Sequence, residues 1–206
     1  MLPPFVDDEL RYEWLTTADL PHLVAMLAKP EVCAHVYFGP NTPEQTWAYF
    51  GPQVAAMRSA LARGARPEEH LFAIRERSSG AWIGECALAP VGFGAGNYTI
   101  GYQLDVPYWR RGHGARACRF LVWYGFAVLG AHRLSGDTLT SNAGSIAVME
   151  RCGLRPEGIQ RRYYHTRGAY HDNALFGLLR EDAADRIEAY GATIRAEAAD
   201  ADGRGV

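Results

Sequence analysis

The chain has 206 residues, of which 48% are hydrophobic and 21% are charged, and its formal net charge at pH 7 is −2. This composition predicts one globular domain with a sizeable core and excludes a disordered chain. A charge so near zero creates no overall field for nucleic acid or for an anionic membrane, so neither is an expected partner.

The four cysteines are widely spread and form no C-x-x-C pair. This spacing argues against a disulfide framework and against a zinc site, so we expect buried thiols in a reducing cytoplasm and no bound metal. The N-terminal residues lack the basic and apolar regions of a secretory signal. The longest apolar run, FLVWYGFAVLGA, is shorter than the roughly 20 residues that span a bilayer. We therefore expect a cytoplasmic protein.

The first half of the sequence predicts a strand, two helices and a hairpin. ELRYEWL alternates as a strand does, and the next run has the apolar spacing of a helix that ends at Pro30. EVCAHVYFGPNTP has the character of an irregular loop. Residues 43–64 predict a second helix, broken near Gly51–Pro52 because proline interrupts the helical ladder. Two strand-like runs around RSSG predict the hairpin.

The second half adds two helices between strands and a final hairpin. YTIGYQLD alternates, and a helix follows it that ends at Gly130. HRLSGDTLT predicts a strand, SNAGSIAVMERCG a short helix, and RRYYHTRGAYHDNALFGLLR a hairpin. The resulting order, βααβββ then αβαββ, predicts an α/β (α+β) fold with a single mixed, mostly antiparallel central sheet flanked by helices. We assign residues 1–182 to this domain and 183–206 to a C-terminal helix and flexible tail.

The stretch PYWRRGHGARA, residues 107–117, joins a strand to a helix and has the composition of an anion site. A glycine-rich turn at a helix N-terminus offers free N–H groups and the positive end of the helix dipole. Gly112 and Gly114 remove side chains that would keep a phosphate from the backbone, and Arg110 and Arg111 add charge. The plain alternative is a tight turn with solvated arginines.

Two common phosphate-binding patterns do not fit this stretch. The Walker pattern requires G-K-[ST], which is absent. The dinucleotide fingerprint fails at its third glycine, where Ala117 stands, and no parallel βαβ unit surrounds it. The remaining pattern is [Q/R]-x-x-G-x-[G/A] between a strand and a helix.

With IGYQLDVPYWRRGHGARA, HRLSGDTLTSNAGSIAVMERCGLRPEG and YHDNALFGLLRED in this order, the chain resembles the GNAT acetyltransferases, in particular the RimJ/RimL-like N-terminal acetyltransferases. The resemblance covers most of residues 8–182. One letter departs from the superfamily pattern, because Trp109 occupies the Gln/Arg position. The resemblance implies the GNAT acyl-CoA N-acyltransferase fold and acetyl-CoA as co-substrate.

The resemblance also implies which residues hold the donor. The strand ending in the loop would splay from its neighbour and pair its backbone with the pantetheine, and the loop would take the pyrophosphate. The expected donor-binding residues are Gln103, Leu104, Asp105, Arg110, Arg111, Gly112, His113, Gly114, Ala115, Asn142 and Ser145. For His113, the variable position of the loop, simple exposure explains the residue better than catalysis.

Two residues are candidates for proton transfer. Ser145 matches the position from which RimL-like enzymes are proposed to protonate the coenzyme A thiolate, although it also fits a first helical turn that Asn142 caps. Glu85 lies inside an otherwise apolar strand and is a candidate general base if it faces the cleft. Its alternative is a carboxylate on a solvated face.

The acceptor wall is expected at the aromatic loop that holds His35, Tyr37 and Phe38, with local core packing as the alternative. The hairpin loop YYHTRGAYHD is a second expected wall. The leading hypothesis is an enzyme that transfers acetyl from acetyl-CoA to a primary amine, foremost a protein or peptide α-amino group. A small-molecule or antibiotic acetyltransferase and a non-catalytic acyl-CoA-binding module are the alternatives, and a homodimer is a further expectation.

Overall fold

The computed structural model describes residues 4–197, whose strands and helices follow the predicted order with short additions. Within that range the strands are β1 (Phe5–Val6), β2 (Leu10–Trp14), β3 (His70–Glu76), β4 (Trp82–Pro90), β5 (Asn97–Leu104), β6 (Arg133–Leu139), β7 (Arg155–Thr166), β8 (Ala169–Leu179) and β9 (Arg195–Ala196). The α-helices are α1 (Leu20–Leu27), α2 (Pro30–Cys33), α3 (Pro43–Ala62), α4 (His113–Trp123), α5 (Ala143–Arg151) and α6 (Ala184–Gly191).

All nine described strands join one sheet in the order β7-β8-β6-β5-β4-β3-β2-β1-β9. Every described pair is antiparallel except β5 and β6, which run parallel. The prediction of a single mixed, mostly antiparallel sheet is therefore confirmed.

The parallel pair opens into a V. β5 and β6 pair only from Asn97 to Thr99 and from Arg133 to Ser135, whereas β5 pairs with β4 as far as Leu104 and β6 with β8 as far as Leu139. Each strand therefore keeps its outer neighbour while its inner edge loses a partner. The backbone groups on that inner edge of β5 are left for another ligand.

Aromatic side chains from the sheet and α4 fill the core on one face of the sheet. The ring of Phe120 stacks on Tyr12 with centroids 4.0 Å apart and meets Phe72 edge-on at 5.0 Å. α5 covers the same face further along, where a Cβ on Gly136 would lie 2.9 Å from the sulfur of Met149. α1 and α3 pack on the opposite face, so the V is flanked by helices on both sides.

The prediction of a broken second helix is wrong. α3 is continuous over its 20 residues with Pro52 inside it. The proline removes the hydrogen bond to the carbonyl of Ala48. Both residues are exposed, so water can donate a hydrogen bond to that carbonyl instead. Phe50, Val54 and Met57 anchor the other side of the helix in the core.

Smaller corrections concern the ends of elements. Pro30 does not end the first helix but begins α2, where its missing N–H costs nothing. The helix before Gly130 finishes as a π-helical turn, Tyr124–Val128, rather than as regular α-helix. Two-residue strands β1 and β9 were not expected, and they pair with each other, so that the chain up to residue 197 returns to the sheet.

The cysteines at 33, 86, 118 and 152 are all buried free thiols, as predicted. No helix within residues 4–197 is long and apolar enough to cross a membrane. The same residues hold no group of three or more His, Cys, Asp or Glu side chains that could bind a metal ion.

Candidate active site

A cavity of about 540 Å³ passes through the V between β5 and β6. Its lining includes Glu85 and Gln103 from the face that carries α3, and Ser145 and Met149 from α5 on the other face. A ligand entering beside α5 can therefore meet a second ligand entering from the α3 side. This arrangement suits a reaction between two substrates held on opposite sides of a sheet.

The loop of residues 109–112, called the donor loop below, leads into the N-terminus of α4. Gly112 caps that helix with φ +84°, a left-handed conformation that favours glycine, and a Cβ added there would meet nothing within 4 Å. At Gly114 a Cβ would make ordinary contact with Val148 at 3.7 Å. The helix N-terminus thus has open space before it, which fits the approach of a phosphate.

Three consecutive side chains of the donor loop differ in what they contact. Trp109, which occupies the Gln/Arg position of the motif, donates its indole N–H to the carbonyl of Leu104 at 2.7 Å. This hydrogen bond links the loop to the end of β5. Arg110 is exposed with φ +59°, and Arg111 lies over the ring of Tyr108 at 5.8 Å. Two arginines therefore lie exposed beside the helix N-terminus, as an anion site requires.

The expectation that His113 is exposed is wrong. Its side chain is buried, packs near the ring of Tyr108, and lies with Nδ1 3.8 Å from Glu9. Desolvation lowers the pKa of the imidazole, with the nearby carboxylate opposing the shift. A neutral, buried ring adds no charge to the loop, so only the backbone of this residue remains available to a phosphate. Ala115, also predicted there, is likewise buried.

At the end of β5, the side-chain amide of Gln103 has an unpaired oxygen, and the carboxylate of Asp105 is bound to other groups of the protein. The Oε1 atom of Gln103 is buried in the cavity lining without a hydrogen-bond partner among the described residues. The carboxylate of Asp105, by contrast, binds the only lysine of the chain, Lys29, at 2.6 and 2.8 Å and accepts from the N–H of Val106. The side chain of Asp105 therefore fixes the strand end, and only its backbone is left for a donor.

Asn142 and Ser145 meet at the start of α5. The Asn142 side chain accepts from the Ser145 N–H at 3.0 Å and donates to the carbonyl of His35 at 3.2 Å. The Ser145 hydroxyl lies 3.1 Å from the hydroxyl of Tyr102 on β5. Burial raises the pKa of Tyr102 well above its usual range, so its phenol stays protonated and can donate to Ser145. The Ser145 proton is then free to point into the cavity.

Glu85 is buried rather than solvated, which excludes the alternative of a carboxylate on an exposed face. It is 3% exposed, lines the cavity, and its Oε2 has no hydrogen-bond partner among the described residues. Desolvation alone raises the pKa of the carboxyl to about 8. Its carboxylate form, which is populated as the pH approaches 8, can take a proton from an ammonium group. Its cross-strand neighbour is Gln103, whose Oε1 is the other buried unpartnered side-chain atom among the described residues that line the cavity.

The two predicted acceptor walls contact each other. Tyr37 stacks on Tyr164 of the β7–β8 hairpin, with ring centroids 4.2 Å apart and planes 8° from parallel. Arg167 at the tip of that hairpin donates to the carbonyls of Cys33 and Val36 at 2.9 and 3.0 Å. The loop containing His35 and Tyr37 is therefore held in place by a hairpin distant in sequence.

The cavity lining is acidic. Glu69 and Asp137 join Glu85 there, and no Lys or Arg belongs to the lining among the described residues. Burial, with help from Glu68, raises the pKa of Glu69. Asp137 accepts from the hydroxyl of Tyr164 at 3.1 Å. A lining of this charge favours a ligand that carries positive charge or N–H donors.

Several residues of this site were missed by sequence reasoning. Tyr102 lies in the alternating strand YTIGYQLD, where nothing marks it for a role, and Asp137 has the pattern of an ordinary strand residue in HRLSGDTLT. Arg167 sits in a turn, where an arginine is expected to be solvated. No local pattern identifies these residues, because each gains its role from a partner that lies far along the chain.

Comparison with known proteins agrees with this geometry. A family model described as "Acetyltransferase (GNAT) domain" matches residues 9–155. "Probable N-acetyltransferase YjcK" of Bacillus subtilis (strain 168) is 32% identical over 118 residues, which are 57% of this chain and 65% of that protein. The match thus spans less than two thirds of the length of this curated relative. A second relative, "Uncharacterized N-acetyltransferase p20" of Bacillus licheniformis, is matched over 64% of its length.

Solved structures share the fold at low sequence identity. "Ribosomal-protein-S5-alanine Acetyltransferase" from Vibrio fischeri superposes with a TM-score of 0.68 at 19% identity, covering 87% of this chain and 97% of that one. "Spermidine N-acetyltransferase from Vibrio cholerae in complex with CoA and spermine" gives 0.71 at 14% identity, covering 85% and 98%. The family model matches most of the length of the chain, and the sheet opens between β5 and β6. The chain therefore belongs to the GNAT acetyltransferase family.

Proposed function

We propose that the protein transfers the acetyl group of acetyl-CoA to a primary amine, foremost the α-amino group of a protein or peptide. One observation carries the proposal: a single cavity crosses the sheet at the V, with Ser145 on the donor side and Glu85 on the acceptor side. When bound, acetyl-CoA supplies an activated thioester carbonyl. The chain must hold it, deprotonate the amine and protonate the leaving sulfur.

Donor binding falls to three elements. The donor loop and the N-terminus of α4 offer free N–H groups, two exposed arginines and the helix dipole to the pyrophosphate. The inner edge of β5 offers unpaired backbone groups to the pantetheine amides, and one N–H there can polarise the thioester oxygen. Asn142 holds the start of α5 beside the same edge.

Two side chains would move protons. The Glu85 carboxylate takes a proton from the acceptor ammonium, and the freed amine forms the new C–N bond as the C–S bond breaks. The Ser145 hydroxyl, oriented by Tyr102, donates its proton to the departing thiolate and is reprotonated by the second proton that the acetylated nitrogen releases. Because the pKa of Glu85 is about 8, close to that of an α-amino group, this proton transfer is nearly balanced.

A small-molecule polyamine is the second candidate acceptor, and the acidic lining favours it. The cavity carries Glu69, Glu85 and Asp137, and its described lining holds no basic side chain except His35. Carboxylates so placed suit an acceptor with more than one ammonium group. A homodimer and a cytoplasmic location, the latter expected from the cysteine pattern, remain part of the proposal.

The test is the release of free thiol from acetyl-CoA by the full chain with three acceptor classes: peptides with different N-terminal residues, polyamines and aminoglycosides. Mass spectrometry of the product then locates the acetyl group. We expect turnover with one class and acetylation at a primary amine. No thiol release with any acceptor, while CoA binds, would leave a non-catalytic acyl-CoA-binding module instead.

A further inference from the structure

A second depression lies beside the cavity and is called the side groove below. It has a volume of about 380 Å³ and shares two lining residues, Thr99 and Asp137, with the cavity, so the two spaces adjoin. Its floor is formed by β6, β8 and β7, which contribute Asp137, Asn173 and Gln160. Tyr163 and Tyr164, from the hairpin loop expected as the second acceptor wall, also line it, whereas the sequence predicts no role for Asn173, Gln160 or Asp137.

The side groove contains a buried amide with an unused acceptor. Asn173 is only 2% exposed, and its Nδ2 donates to Oε1 of Gln160 at 3.1 Å. Its Oδ1 is buried without a hydrogen-bond partner among the described residues, and so is Oδ1 of Asn97 at the other side of the groove. Buried carbonyl oxygens are usually paired, so two unpaired ones in the same groove indicate a missing donor.

The remaining polar groups of the groove point to the same chemistry. Asp137 and Glu157 are acidic, and the lining's Arg133 is already paired with Glu157. The Tyr164 hydroxyl is used on Asp137. The groove thus presents two carboxylates and two unpaired amide oxygens, which the N–H groups of a ligand would satisfy.

The distance from Glu85 fixes where on the ligand those N–H groups must lie. Glu85 is on β4 and Asn173 on β8, three strands apart in the sheet. At about 4.8 Å per strand the separation is at least roughly 14 Å, and the V adds to it. An extended peptide covers this span with about four to five residues, whereas a dipeptide does not reach.

We propose that the side groove is a distal acceptor subsite, which binds N–H groups of the acceptor roughly 14 Å or more from the amine that is acetylated. The inference rests on the proposed function and deepens it, because it makes acceptor length a determinant of specificity. The N–H groups come either from the backbone of a peptide or from the far ammonium of a polyamine. Both supply the donor that Asn173 and Asn97 lack.

The experiment compares long with short acceptors in two series. One series is a six-residue and a two-residue peptide amide with the same N-terminal residue, and the other is spermine and butylamine. The measured quantity is the ratio of kcat/KM for the long acceptor to that for the short one. In the wild type this ratio favours the long acceptor in at least one series, and the responding series identifies the source of the N–H group.

Asn173→Leu removes the acceptor oxygen at nearly constant size, and Asn173→Asp is the matched variant that keeps it. We expect Asn173→Leu to lower the ratio about tenfold and Asn173→Asp to change it less than about threefold. Asn97→Leu is the second variant, with the same expected direction, should Asn173→Leu not fold. Unchanged CoA affinity shows that a variant is intact.

A binding measurement separates this proposal from the proposed function. The side-chain amide signals of Asn173, assigned by their loss in Asn173→Asp, are followed by NMR in the CoA-bound chain while the six-residue peptide amide or spermine is added. A shift supports the subsite even where no acceptor is acetylated. Equal ratios in wild type and Asn173→Leu, or no shift of these signals with either probe, would overturn it.

Discussion

The proposed donor side of the cavity draws on two short stretches of sequence, residues 101–115 and 142–145, whereas the proposed acceptor side joins Cys33 to Arg167 across 134 positions. On the proposed donor side, the candidate groups are backbone N–H groups at a helix N-terminus, and the space around the Cα of Gly112 is open. On the acceptor side, the site consists of side chains that hold one another, as Tyr37 and Tyr164 do. A site made of backbone groups from neighbouring residues should tolerate little change in its glycines. A site made of side chains from distant parts of the chain should depend on the contacts between them.

Gly112→Val is the largest expected effect and tests the donor side. Valine in a left-handed conformation costs roughly 1–2 kcal/mol, and its branched side chain enters the open space before α4. We expect CoA affinity to fall at least 100-fold while the fold survives. Isothermal titration with CoA and a thermal melt measure the two effects.

Gly130→Val is the matched control for this variant. Gly130 also has positive φ, +70°, and open space around its Cβ, but it lies beyond the π-helical turn, away from the donor loop. The two variants should lose similar stability, and only Gly112→Val should lose CoA binding. Equal CoA affinity in both would end the assignment of a phosphate site to the donor loop.

Glu85→Gln tests the centre of the cavity, where the two sides meet. A general base contributes about 10²–10⁴-fold, so we expect kcat to fall by about that factor. In the wild type kcat should rise with pH as Glu85 loses its proton near pH 8, and this rise should be absent in the variant. Initial rates from pH 6 to 10 at saturating substrates measure both, with exposed Glu150→Gln as the control.

Stability gives an independent readout of the same carboxyl. Its pKa is about 8 in the folded chain and near the ordinary value of 4.5 when unfolded, so the folded state binds the proton more tightly. Stability contributed by this proton is present below about pH 4.5 and is lost as pH rises to about 8. We expect Glu85→Gln to remove that loss in urea unfolding. An identical pH dependence in both proteins would show that Glu85 is not desolvated.

Ser145→Ala and Tyr102→Phe form the next pair of variants. Their expected loss of kcat is smaller than that of Glu85→Gln, because water can also protonate a thiolate. We expect Ser145→Ala to lower kcat about 10- to 100-fold, and Tyr102→Phe less, because it only orients the serine. The KM for the acceptor should change little in either. A Tyr102→Phe effect larger than that of Ser145→Ala would reverse these roles and make the phenol the proton donor.

The sheet and the glycine turn that begins α4 could be predicted because their signals are local. Alternation in YTIGYQLD and the glycines at 112 and 114 report structure within a few residues. The unbroken α3 could not be predicted, since Pro52 is tolerated only because Ala48 faces water while Phe50 and Val54 are anchored in the core. The burial of Glu85 likewise depends on helices from elsewhere in the chain covering the cavity, and sequence reasoning left both of its alternatives open.

Arg167→Ala, the smallest expected effect, tests whether the acceptor side depends on its long-range contacts. The guanidinium holds the carbonyls of Cys33, Ala34 and Val36, so its loss frees the loop that carries Tyr37. We expect the acceptor KM to rise about three- to tenfold, with kcat and CoA affinity nearly unchanged. Exposed Arg161→Ala on β7 controls for the loss of one positive charge. If CoA affinity falls together with acceptor binding, the two sides of the cavity are coupled, and the link is the hydrogen bond from Asn142 to the His35 carbonyl.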